Sequence, residues 1–272
     1  MKRPAEDHRL LETKLFLRPL GEGPVASGGG QRFMAAFLDL LRDADPEMAQ
    51  NLHDSRGQKP FTVSYLLGDF PSEGAQEVLL DPEKEYVLRI TTFDVRLGEI
   101  WENIVLPGVE GRRVRIGRES FLVTGFTLEE ESLAKIYRRH IIEGRDLPGR
   151  LVLRFHTPTA FRSGRSNFLF PLPRLVWLSL NKSWSMVAPV DLGKDLHLWA
   201  EREIRVSKYE LRTRILHFDR YRQVGFTGFC EYHLIPSDQE RLRIYRLLAD
   251  FSRYSGLGMK TTMGMGQVTC HM

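Results

Sequence analysis

Of the eight histidines in the chain, His53 stands in the setting best suited to moving a proton. Asp45-Pro46 has the form of an N-cap followed by a first-turn proline, and Met48, Ala49 and Leu52 follow at helical spacing. His53 falls near the end of that short helix, Gly57 stops it, and Arg56 and Lys59 flank the stop. Imidazole changes charge near neutral pH and serves as a general acid or base, and a nearby Lys or Arg stabilises an anionic transition state. The plainer role for the same residue is an imidazolium at a helix C-terminus, favoured by the helix dipole. His156, beside Thr157-Pro158-Thr159, reads as structural. His140, His197, His217 and His233 have no motif around them, and His8 and His271 read as spectators.

A second set of residues has the types to hold an anion. Gly256-Leu257-Gly258-Met259-Lys260-Thr261-Thr262-Met263-Gly264-Met265-Gly266 places two Gly-X-Gly pairs around five residues. Glycine lets a partner come close to the backbone, exposed N–H groups in such a loop form a concavity for anions, and Lys260 adds positive charge. A dinucleotide fingerprint or P-loop follows a strand and opens a helix. Here the loop follows a helix and leads into the strand-like Gln267-Val268-Thr269-Cys270, with no Gly-Lys-Ser/Thr step, so neither motif applies. A turn that merely joins two elements has the same composition.

Composition narrows the field. Net charge is +4, but between Arg138 and Arg165 seven arginines (Arg138, Arg139, Arg145, Arg150, Arg154, Arg162 and Arg165) face only Glu143 and Asp146. Such a run is a solvated surface whose guanidinium groups suit bidentate phosphate contacts. Cys230 and Cys270 are far apart and belong to no Cys-X-X-Cys pair, so neither a disulfide framework nor a zinc site is expected, and a cytoplasmic location fits. The carboxylates are scattered and no metal cluster or cofactor is expected. No apolar run approaches the roughly 18–20 residues of a membrane helix, and the charged N-terminus lacks the apolar core of a signal peptide.

Three stretches, in order along the chain, carry a resemblance. They are Leu52-His53-Asp54-Ser55-Arg56-Gly57-Gln58-Lys59-Pro60-Phe61-Thr62-Val63-Ser64, then Leu153-Arg154-Phe155-His156-Thr157-Pro158-Thr159-Ala160-Phe161-Arg162, and the sequence of helix, Gly-X-Gly-X5-Gly-X-Gly loop and short last strand. Together they resemble the CRISPR-associated endoribonucleases that process precursor CRISPR RNA. The glycine loop alone is shared with other repeat-associated RNA-binding proteins. The resemblance implies metal-independent, sequence-specific cleavage in which the RNA's own 2′-OH attacks the adjacent phosphate, leaving a 2′,3′-cyclic phosphate and a 5′-OH. It implies a catalytic pair of His53, as base or acid, and Lys59, as transition-state stabiliser. It implies RNA contacts at Arg56, Arg162 and Arg165 and along the loop at Gly256, Gly258, Lys260, Thr261, Thr262, Gly264 and Gly266. The implied partner is CRISPR repeat RNA, with effector-complex subunits and a second copy of the chain as further ones. Some members place a Tyr fifteen residues before the His; here that position is Leu38, which leaves Arg56, Tyr65, another His or water as the second proton handler. Tyr209, Phe229 and Tyr232 are candidates for base stacking if they face a cleft. Two other readings stay open: a non-catalytic RNA-binding subunit of an effector complex, and an unrelated ferredoxin-like enzyme holding a small anion at the glycine loop.

These residues need elements to position them. Leu10 to Leu17 reads as a strand, with Leu11, Thr13, Leu15 and Leu17 on one face. Phe33, Met34, Phe37, Leu38 and Leu41 form a helical stripe. Phe61 to Leu67 and Glu85 to Thr92 read as strands, Phe93 to Val105 as a helix, Arg113 to Phe126 as one or two strands, and Glu129 to Glu143 as a bridging helix. In the second half a strand over 150–155, a loop over 157–167, a helix over 173–184, a hairpin over 206–234 and a helix opened by a Ser237/Glu240 capping box lead into the glycine loop and last strand. Both halves give the order strand, helix, strand, strand, helix, strand, which is the ferredoxin-like βαββαβ order that RNA-recognition domains use. The expected fold is therefore α+β, two tandem ferredoxin-like domains over 1–145 and 146–272 with a cleft between them.

Overall fold

The computed structural model of the protein describes residues 4–26, 30–70, 77–144, 149–218, 221–235 and 238–272. Alternation of apolar and polar residues sets the first sheet. Strand β1 (Arg9–Pro19) buries Leu11, Thr13, Leu15 and Leu17 on one face. A short strand β2 (Pro24–Ala26) follows, then α1 (Gln31–Arg42), which buries Phe33, Phe37, Leu38 and Leu41. In α2 (Pro46–Asp54) the Asp45 carboxylate accepts the Met48 N–H at 2.8 Å, the expected N-cap ahead of Pro46. Next come β3 (Phe61–Val63), β4 (Glu77–Leu79), β5 (Tyr86–Thr92) and α3 (Val95–Ile100), which runs on as a π-helical turn over Trp101–Val105. Strands β6 (Arg113–Ile116) and β7 (Glu119–Ser132) complete an antiparallel sheet ordered β3-β5-β1-β7-β6, and β2 pairs separately with β4.

The bridging helix starts later than its sequence suggests. Glu129–Ser132 are the end of β7, in register with Arg9–Glu12 of β1, and α4 (Leu133–Tyr137) begins only at Leu133. The glutamates are tolerated in the ladder because each has a cation beside it: Arg253 at Glu129, Arg9 at Glu130 and Arg139 at Glu131. A π-helical turn over Arg138–Ile142 prolongs α4. The expected division at 145/146 lies within 145–148, outside the described residues, as does Ser237 of the expected capping box. Asp238 is the residue that caps the helix after it, accepting the Arg241 N–H at 2.8 Å.

The second unit repeats the first. Strand β8 (Arg150–Thr159) extends four residues beyond its expected end, and the expected loop after it is a small hairpin, β9 (Phe161–Ser163) with β10 (Ser166–Phe168). Helix α5 (Pro173–Val187) buries Val176, Trp177, Leu180 and Trp184. The short helix α6 (Leu196–Glu203), which sequence pattern did not reveal, leads into the long hairpin β11 (Ile204–His217) and β12 (Arg222–Leu234). Helix α7 (Gln239–Ser255) and β13 (Val268–His271) close a sheet ordered β11-β12-β8-β13. In both sheets the first and third strands of the βαββαβ set are central, the ferredoxin-like arrangement, so the fold is two such units in tandem. Helices α5 and α7 pack on the second sheet, and Leu10, Phe93, Leu133 and Ile136 join that core from the first unit. No described helix is long and apolar enough to cross a membrane.

Candidate nucleic-acid interface and active site

The site forms where three segments from the two units converge. Gly57, Gln58 and Lys59 come from the loop after α2, Leu175, Leu178, Ser179 and Lys182 from α5, and residues 258–263 from the glycine loop; with Phe161 and Arg162 they line a cleft of about 470 Å³. The cleft thus gathers Lys59, Arg162, Gly258, Lys260, Thr261 and Thr262, which the sequence spreads over two hundred positions, and adds Lys182, which pattern alone did not single out. None of the described lining residues is acidic.

The glycine loop is a knot of backbone contacts more than an open anion cradle. At Gly258 (φ +82°) a Cβ would lie 2.4 Å from the Ala160 carbonyl, and at Gly266 (φ +70°) 2.2 Å from that of Leu257, so the backbone that approaches these glycines is the protein's own. The N–H groups of residues 256–259 and 263–267 already have acceptors within the protein. Two backbone bonds of the loop cross between units: Gly264 donates to Val63 at 2.9 Å, and the Met263 carbonyl accepts the N–H of Gly30, the residue before α1. Gly256, Gly264 and Gly266 are buried. What the loop offers the cleft is Lys260 and, on the 3-10 turn that follows it, Thr261 and Thr262. Lys260 sits at φ +58°, the one non-glycine with positive φ among the described residues. Its ammonium lies 4.5 and 4.1 Å from the rings of Phe218 and Tyr221 and donates to the Tyr221 hydroxyl. That cation–π seat at the tip of the β11–β12 hairpin holds the left-handed conformation in place.

Lys59 and His53 both lie at the C-terminal end of α2. Lys59 is buried (8% exposed), and its Nζ donates to the carbonyls of Leu52 and Ser55, the latter at 2.8 Å, and to Ser55 Oγ at 2.8 Å. It also lies 3.4 Å from the His53 carbonyl. These are acceptors that the end of an α-helix leaves open, so the lysine caps α2. Burial lowers its pKa, with Asp54 opposing. The His53 side chain is exposed at the last turn of α2, at the edge of this loop. Arg56 is exposed two residues before Gln58. Leu38, at the position where some relatives carry Tyr, is 1% exposed in the first core and supplies no proton handler.

The arginine run is dispersed by the fold. Arg138 pairs with Glu6, Arg139 with Glu131 and Asp250, and Arg150 with Glu231. Arg145 lies outside the described residues. Arg162 and Arg165 stand exposed on the β9–β10 hairpin, and Arg162 Nε reaches only the Gly164 carbonyl at 3.4 Å. Of the candidate stacking aromatics, Tyr232 is fully buried with its hydroxyl donating to the Pro171 carbonyl. Phe229 lies about 6 Å from the Arg154 and Lys208 cations, and Tyr209 meets Phe170 edge-on; none of the three lines the cleft. His156 Nε2 lies 2.8 Å from Thr269 Oγ1. Burial, then the nearby Arg89 and Arg154, lower its pKa.

Tandem ferredoxin-like units thus meet around a basic cleft, with a glycine loop between the last helix and last strand. The model for CRISPR-associated endoribonuclease Cas6 matches residues 153–268. A curated Cas6 from Streptococcus thermophilus is 31% identical over 117 residues, covering 42% of this chain and 47% of that protein. One from Mycobacterium tuberculosis is 27% identical over 224 residues, 77% of this chain and 70% of that one. The match therefore spans about half the length of the first relative and more of the second. The solved Cas6 (TTHA0078) product complex has the same fold, with TM-score 0.75 at 24% identity over 97% of this chain and 100% of that one. Over residues 153–268 the chain is thus similar to the CRISPR-associated endoribonuclease Cas6 family.

Proposed function

We propose that the protein is a metal-independent endoribonuclease that cuts CRISPR repeat RNA within the cleft between residues 1–145 and 146–272. The observation that carries this reading is the convergence of Lys59, Arg162, Lys182 and Lys260 on one cleft with no acidic residue among its described lining, beside the helix end that bears His53. The curated relatives are named as endoribonucleases. RNA supplies the nucleophile. The 2′-oxygen forms a bond to phosphorus as the P–O5′ bond breaks; one proton leaves the 2′-OH for a base and another is delivered to the 5′-oxygen, giving a 2′,3′-cyclic phosphate and a 5′-OH. His53 is the residue suited to either transfer near neutral pH. Cations facing the phosphate stabilise the extra negative charge as it develops.

The test is cleavage of a labelled repeat RNA in excess EDTA by wild type and His53→Ala, with a 2′-deoxy substitution at the cut site as control. Wild type should cut, the deoxy substrate should survive, and His53→Ala should slow the reaction by about two orders of magnitude. A wild-type protein that binds the repeat tightly and leaves it whole would establish the second reading, a non-catalytic repeat-binding subunit. The internal occupation of Lys59 and the buried Leu38 favour that second reading. The glycine-loop enzyme of small anions has less support, because most of the loop amides already have partners.

A further inference from the structure

The four cations of the cleft differ in what they are free to touch. An ammonium has three N–H donors, and those of Lys59 already face Leu52, Ser55 O and Ser55 Oγ. Lys260 is seated on two aromatic rings. Arg162 rides on the exposed β9–β10 hairpin. Lys182 is exposed, lines the cleft, and forms no hydrogen bond or ion pair among the described residues.

Its place on α5 is fixed from both sides. Ser179, Lys182 and Ser183 fall at i, i+3 and i+4, on one helical stripe. Ser179 Oγ accepts the Gly258 N–H at 3.0 Å, which docks α5 against the glycine loop. Ser183, fully buried, accepts from Gln58 Nε2 at 2.5 Å and directs its own hydroxyl to the Ser179 carbonyl at 3.3 Å. The second bond docks the same helix against the loop that carries Lys59. Lys182 therefore projects from the one helical stripe that touches both loops of the site.

Resting on the nuclease reading, we propose that Lys182 is the cation that contacts the scissile phosphate, and that Lys59 instead shapes the site by holding the end of α2. Lys182 is then a catalytic residue and Lys59 a positioning residue.

The test uses the whole protein with enzyme in excess over labelled repeat RNA, measuring the saturated cleavage rate separately from Kd at two salt concentrations. Lys182→Ala should melt with wild type and lose roughly 100-fold or more in the saturated rate, the scale for removing a transition-state donor. Its Kd should rise far less, and the salt slope should fall by about 0.7, one phosphate on a single strand. Lys182→Arg should keep the slope and recover part of the rate. A saturated rate within a few-fold of wild type in Lys182→Ala overturns the proposal, whether or not Kd changes. Should wild type bind without cutting, the nuclease reading fails on its own, and the Lys182 phosphate contact stands or falls on the slope: an unchanged slope in Lys182→Ala ends it.

Discussion

Lys59 has the type and place of a catalytic cation in the sequence and, in the fold, hydrogen bonds that cap a helix. Its ammonium closes the end of α2, so Lys59→Ala should destabilise the protein by about 1–3 kcal/mol, the worth of hydrogen bonds to a charged group. A thermal melt should register that loss as a few degrees. Any loss of cleavage in this variant should partly recover at lower temperature, where α2 remains formed; a variant with unchanged melting but lost cleavage would return Lys59 to direct catalysis. Lys182 was hidden for the opposite reason. Helix α5 announces itself by its apolar stripe, Val176, Trp177, Leu180 and Trp184, and in sequence Ser179, Lys182 and Ser183 beside that stripe are types that any solvated helix face displays. Only contact with Gly258 and Gln58, distant in sequence, gives that pattern meaning. His53 and its helix were readable because Asp45-Pro46 is a local signal, but the direction of a side chain at a helix end is not.

At the scale of elements, strong periodicity translated well and charge misled. The βαββαβ order of both halves and the alternating face of β1 follow from apolar spacing alone, since burial on one face imposes it. Glu129–Ser132 have the acidic composition of a helix start, whereas pairing with β1 and cations from β1, α7 and the π-helical turn after α4 keep them extended. Helix α6 is short, with three buried residues, and β9–β10 is a three-residue ladder; neither spans enough residues for a period to emerge. The glycine loop was legible as a feature but its purpose was not, because its glycines face backbone from elsewhere in the chain. Gly258→Ala and Gly266→Ala should each cost about 1–3 kcal/mol or more for strained backbone and close contact. Both should also depress RNA binding by displacing Lys260, measurable by filter binding beside a melting curve. Ser183→Ala, which severs the contact with Gln58 but keeps the helix, should reduce cleavage while leaving the melting temperature nearly unchanged.

At the scale of the molecule, the two units are locked by a charged junction. Glu12 is almost fully buried and takes ion pairs from Arg89 and Arg253, both at 2.7 Å. Arg89 also donates to the Arg253 carbonyl at 2.8 Å and to Gln267, whose side-chain amide reaches Thr62. Burial alone would raise the Glu12 pKa, but the hydrogen bonds and charges of Arg89 and Arg253 outweigh it and bring it from 4.5 to about 2. A carboxylate with a depressed folded pKa stabilises fully above its unfolded value and loses that contribution as pH falls through the folded one. The junction should therefore contribute about 3 kcal/mol above pH 4.5 and lose it progressively toward pH 2. Denaturant titrations across that range should show the loss, and Glu12→Gln should flatten it at the expense of stability at neutral pH, because two guanidinium groups then lack their partner. The knot at residues 256–266 has a consequence for synthesis. Its bonds reach back to Val63, Ala160 and Ser179, and β13 borders β8 on the open edge of the second sheet. While the ribosome is still making the chain, the first sheet has all its strands, but the cleft has no wall on the glycine-loop side. A nascent chain thus holds no assembled cleft until the glycine loop has cleared the exit tunnel and closed over both units.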